Sequence, residues 1–243
     1  MTKRLHSGFT IIETMLFLTV SALLTISVLV GVGSTIGQQR YRDSVNSLRS
    51  YIQKQYSLVA NTSNDRSGVE SCSAAVVSTG GAQPRGTSEC VLLGRYVSSD
   101  AAGKVLQSVN VIASPLATPA VVANDTDDLK NNYIVTKSPL VSDTYDIAWD
   151  SHIVNESNPS VAKRFSLLIV RAPRSGSIIT YGSAGSVLPK DLLTAANNRT
   201  PLVLCLKSDD MTTSGRGAAV RIKGFAANQG SVEVPAEKEG LCS

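Results

Sequence analysis

The chain is poor in histidine, in aromatic residues and in net charge, and each scarcity removes a class of function. Two histidines, His6 and His152, in 243 residues leave little from which to build a histidine-based metal site or catalytic triad. An aromatic content of 5% argues against a ring-lined surface for sugars or stacked bases. The net charge is +4, and without Lys3 and Arg4 it falls to +2, too little for general affinity for nucleic acid. Nucleophile-elbow, phosphate-loop, zinc-protease and dinucleotide-binding patterns are all missing. The paired carboxylates Asp127-Asp128 and Asp209-Asp210 lie among turn-forming residues, where a solvated face is the ordinary role, and Asp150-Ser151-His152 reads as a turn rather than part of a triad. The residues therefore predict a protein that is not an enzyme, with no catalytic residues, no metal and no cofactor.

Proline is absent from positions 1 to 83, so nothing there forces a helix to break. Charge is almost absent from Phe9 to Ile36: across 28 residues the only ionisable side chain is Glu13. A secretory signal has an apolar core of roughly 7–15 residues, which this run exceeds, and it is long enough to cross a bilayer. Beyond it, Tyr41, Val45, Leu48, Ile52, Tyr56 and Val59 recur at steps of three and four, one face of an α-helix. The pattern predicts one helix over 9–60. Its first part, 9–36, is apolar all round and suited to lipid or to other helices. Its second part carries one apolar stripe suited to a folded domain. Gly31 and Gly33 either weaken this helix locally or allow another helix to approach closely.

Cysteine is scarce but even in number. Cys72, Cys90, Cys205 and Cys242 all follow the apolar run, with no C-x-x-C spacing, and read as two disulfides in an oxidising compartment. Four cysteines allow three pairings, and proximity in sequence favours Cys72–Cys90 and Cys205–Cys242.

The string SGFTIIETMLFLTVSALL after a short basic leader resembles the N-terminus of type IV prepilins and pseudopilins, and the resemblance covers roughly residues 3 to 36. It implies a leader, 1–8, cut on the cytoplasmic side after Gly8 by a prepilin peptidase, with Phe9 becoming the N-methylated first residue. It also implies that Glu13 neutralises the terminal amine of a neighbouring subunit during filament assembly. Pairing the two charges in a low-dielectric setting would offset part of the desolvation that each suffers alone. One departure stands out: many pilins carry a proline late in the apolar stretch, where this chain has Val30 followed by Gly31 and Gly33. The partners implied are other pilin or pseudopilin subunits, an inner-membrane assembly platform, and membrane lipid before assembly. The localisation implied is a single pass through the cytoplasmic membrane with the N-terminus cytoplasmic, then an extracellular or periplasmic filament.

The remainder, 61–243, is expected to form an exported β-rich globular domain. Segments of β character are expected at Cys90–Ser98, Val105–Ala113, Asn132–Thr136, Thr144–Trp149, Phe165–Arg171, Ser177–Tyr181, Leu202–Leu206, Ala218–Phe225 and Ser231–Val234, separated by Gly, Pro, Asn, Asp and Ser clusters. A short helix is expected over Lys190–Asn197, and 114–131 reads as an irregular excursion. The fold class expected is α+β, a long N-terminal helix packed on antiparallel sheets, as in pilins. Near the C-terminus, Arg216, Arg221 and Lys223 lie in or beside an alternating strand that loosely resembles minor pilins of the FimT/GspH type, some of which bind DNA. The plainer reading of these cations is the polar outer face of a strand. The functional expectation is a structural, minor subunit of a type IV pilus. The alternatives are a pseudopilin of a type II secretion system and a minor pilin that binds DNA or a host surface.

Overall fold

A computed structural model describes residues 10–61, 70–73, 76–79, 90–209, 217–235 and 240–242. Helix α1 (Ile11–Ala60) is unbroken over 50 residues, about 75 Å at 1.5 Å per residue. Thr10 caps it in an extended conformation, its hydroxyl accepting from the Glu13 amide at 3.3 Å, and Asn61 closes it with its amide on the Ser57 carbonyl. The glycines at 31 and 33 do not interrupt the helix.

The strands are β1 (Glu70–Ser73), β2 (Val76–Thr79), β3 (Val91–Ser99), β4 (Val105–Pro115), β5 (Tyr133–Asp146), β6 (Ser151–Val154), β7 (Phe165–Arg171), β8 (Ile178–Ala184), β9 (Leu202–Ser208), β10 (Ala218–Ile222) and β11 (Val232–Glu233). Short helices α2 (Asp125–Asn131) and α3 (Pro189–Thr194) lie between them. Strands β5-β4-β3-β7-β8 form a five-stranded sheet, β11-β10-β9-β6 a four-stranded sheet, and β1-β2 a separate pair, with every pairing antiparallel. The fold is α+β, as expected.

All six stripe residues of the second half of α1, Tyr41, Val45, Leu48, Ile52, Tyr56 and Val59, are buried in one core. That core also takes Leu167 and Ile169 from β7, Leu204 and Leu206 from β9, and Val220 and Ile222 from β10, so the helix fills the space shared by both large sheets. The other face of the five-stranded sheet has its own core, where Leu168 and Val170 meet Leu129 of α2 and Leu192 and Leu193 of α3. This explains why β7 reads as a continuous apolar run: successive side chains enter two different cores. Where β3 passes β7, a Cβ on Gly94 would lie 2.0 Å from the Ile169 carbonyl oxygen, so only glycine fits beside the irregularity between Leu92 and Gly94.

Several expected boundaries are corrected. The two strands expected at Asn132–Thr136 and Thr144–Trp149 are the ends of the single strand β5. Pro139 lies between them, which an edge strand tolerates, and the pairing with β4 shifts register there instead of ending. The 114–131 stretch is not irregular throughout: Asn124 caps α2, its side chain accepting from the Asp127 amide at 2.9 Å, and Asp125, Asp127 and Asp128 occupy the favourable first turn. His152 lies in β6, opposite Lys207, rather than in a turn; the turn ends at Asp150. Strand β10 stops at Ile222, before Phe225, which adopts a positive φ of 57°. The expected α3 begins one residue earlier, with Pro189 in its first turn, and ends at Thr194. The pair β1-β2 has no counterpart among the expected strands, since ESCS and VVST are only four residues each and show no apolar alternation.

Candidate assembly surface

From Ile11 to Ile36 the helix stands clear of the head. Its large apolar side chains, among them Leu16, Phe17, Leu24, Leu29 and Val30, are exposed, and its most apolar stretch buries none of its residues against the domain. This helix is long and apolar enough to cross a membrane. Contiguous apolar surface of this size on a soluble chain marks an interaction or membrane face.

Five hydroxyls in this half are satisfied within the helix. The hydroxyls of Thr14, Thr19, Thr25, Ser27 and Thr35 donate to carbonyls three or four residues earlier, those of Ile11, Leu16, Ser21, Leu23 and Gly31, at 2.8–3.0 Å. Back-bonding of this kind lets hydroxyls sit beside lipid or another apolar helix without an unpaired donor. A Cβ added at Gly31 or Gly33 would meet nothing within 4 Å among the described residues, so no contact among them explains either glycine.

Glu13 lies in the first turn of α1, at the positive end of the helix dipole. With Thr10 it forms the Thr-x-x-Glu pattern of a capping box, of which the Thr10–Glu13 amide bond is one half. That local role was legible in the Thr10-x-x-Glu13 spacing of the sequence. Among the described residues no cation lies within ion-pair distance of Glu13. Gly8 and Phe9, the residues of the expected cut and methylation, lie outside the described residues.

In the head, Cys205 and Cys242 are joined, tying the C-terminal segment to β9. Cys90 is disulfide-bonded as well, while the side chain of Cys72, on which the expected Cys72–Cys90 pairing depends, lies outside the described ones. Arg221 and Lys223 converge on one carboxylate: Arg221 Nη2 is 2.5 Å and Lys223 Nζ 2.9 Å from Glu233. Hydrogen bonds from Lys223 and Arg221 hold the Glu233 carboxyl below its ordinary range. These cations thus have a structural partner across β10-β11, which weighs against their being kept for phosphates; Arg216 lies outside the described residues.

Comparison of the chain with family models, with curated proteins and with solved structures finds no match. The functional reading therefore stands on the N-terminal pattern and on the bare helix that continues into a packed head. Among the described residues no group of three or more His, Cys, Asp or Glu side chains is placed to hold a metal ion.

Proposed function

We propose that this chain is a structural subunit, of the minor class, in a type IV pilus or related filament. The observation that carries the reading is the division of one continuous helix. Over Ile11–Ile36 its large apolar side chains are exposed, and the apolar stripe of the rest is built into the core of an α+β head. A prepilin peptidase removes the leader after Gly8, Phe9 becomes the methylated terminus, and the helix waits in the membrane with the head on the far side. Assembly transfers the bare helix from lipid into a bundle of like helices, with the Phe9 amine of one subunit paired to Glu13 of another. The glycines at 31 and 33 allow neighbouring helices to approach there, since none of the described residues fills the space beside them.

Mass spectrometry of the mature chain, made in cells that contain a prepilin peptidase, tests this reading. The expected product begins at N-methylated Phe9. A product beginning near Ser34, as an ordinary secretory signal would leave, overturns it.

A further inference from the structure

The single tryptophan of the chain is placed where a folded head can least easily justify it. The Ser151 amide donates to the Ala148 carbonyl, closing a tight turn with Trp149 and Asp150 at its centre, and both central residues have positive φ, 60° and 50°. Turns of that class ordinarily take Asn-Gly, and a bulky residue with positive φ is an outlier. Trp149 is also 50% exposed, so its indole is not spent on the core. A strained backbone that presents a large apolar ring to the outside points to a use beyond the isolated fold.

The location of the turn indicates that use. Trp149, Asp150, Ser208 and Asp209 share a shallow hollow with Gly37 and Arg40 of α1, and the Arg40 guanidinium stacks on the indole, 4.9 Å from the ring centre. Gly37 follows directly on the last exposed apolar residue of the bare helix, Ile36. The bare segment of 26 residues is roughly 39 Å long, against about 30 Å for the hydrocarbon core of a bilayer. The surplus lets the helix sink until the head itself meets the surface, and the ring beside Arg40 is then only about 6 Å along the axis from Ile36. Indole is the side chain that favours this layer, with an apolar body and one N–H donor.

We propose that the Trp149 turn is an interfacial anchor that seats the head on the lipid headgroups before assembly. The inference rests on the placement of α1 in a membrane. The anchoring group is the indole rather than net charge: Lys104 lies 3.5 Å from Asp150 and 3.7 Å from Asp209, so the carboxylates beside the ring offset the cations Arg40 and Lys104. Seating therefore needs no anionic lipid.

Because Trp149 is the only tryptophan, its fluorescence in the full chain is a specific reporter. The chain is reconstituted into phosphatidylcholine vesicles carrying a nitroxide either just below the headgroup or at the end of the acyl chain. A second protein, Leu24→Trp with Trp149→Phe, reports independently on helix insertion. The expected result is quenching of Trp149 mainly by the shallow label and of the Leu24 reporter mainly by the deep one, unchanged when phosphatidylglycerol is added. Trp149 quenched by aqueous iodide and by neither lipid label, with the Leu24 reporter still quenched, overturns the anchor and leaves the membrane helix standing. Trp149 shielded from both iodide and lipid labels points to a second copy as its cover and also overturns the anchor. Loss of lipid quenching at both positions overturns the membrane placement with it.

Discussion

The Tyr41 hydroxyl donates to the Leu206 carbonyl at 2.8 Å, joining the helix to β9 one residue from the Cys205 disulfide. The same oxygen accepts from the amide of Ala218, the residue opposite Leu206 on β10, at 2.6 Å. One phenol thus fastens the point where α1 enters the head to the ends of two paired strands.

Tyr41→Phe should therefore cost about 1–3 kcal/mol, because it leaves buried backbone groups without their partner while keeping the ring in the core. Urea denaturation of the detergent-solubilised chain, followed by near-ultraviolet circular dichroism, measures the loss. An unchanged midpoint would show that water replaces the hydroxyl without penalty.

The Cys205–Cys242 bond closes a loop of 37 residues in sequence separation. On the chain-entropy account a loop of that length is worth about 3–4 kcal/mol. The double substitution Cys205→Ser and Cys242→Ser should lower stability by that order and free the C-terminal segment from β9. Limited proteolysis checks the second consequence: cleavage near the C-terminus should precede loss of the β-rich core.

Alkaline pH should unfold the head cooperatively. Burial pushes the Tyr56 phenol from an ordinary 10.0 up to about 12, and burial is also the leading cause that raises Tyr51, Tyr145 and Tyr181. Each is an acid whose folded-state value lies above the unfolded one, so the fold favours the neutral phenol. The stability this contributes is complete below pH 10.0 and is lost as the pH rises through about 12. Phenolate absorbance should consequently appear together with loss of circular dichroism. Smooth tyrosine titration with the fold intact would contradict it.

Glu13→Val should insert in the membrane and be cleaved after Gly8, yet enter filaments poorly. The Thr10 cap bonds the backbone amide of residue 13, not its side chain, so it survives the change. Helix content should then be nearly unaltered while the assembled fraction, measured by shearing and immunoblotting, falls. Normal incorporation would confine Glu13 to its local place at the helix terminus.

The helix and its stripe were legible because they obey a short period. A residue three or four positions on lies on the same face whatever the rest of the chain does, so Tyr41 to Val59 could be assigned to the core and were found there. Strand β7 was legible because its apolar run is bounded by charges and turn residues. Strand β5 was misread as two because a proline and turn formers at its centre look like an ending, and only β4 beside it keeps the two ends in one strand. Helix α2 was missed because Leu129 is its sole apolar residue, although the Asn124 cap and the acids after it were a readable start signal.

By itself the sequence determined the quantities set by neighbours along the chain: an uninterrupted helix, its bare and striped halves and the β-rich remainder, while the Cys205–Cys242 pairing was one of three possibilities until the structure fixed it. Tertiary structure alone decided which groups meet across long separations. It set Tyr41 between two strands and placed Trp149 beside Arg40 where the helix leaves the head. The reason is physical. Local periodicity follows from backbone geometry that every residue shares, whereas partners more than a hundred residues apart are chosen only when the sheets close around the helix.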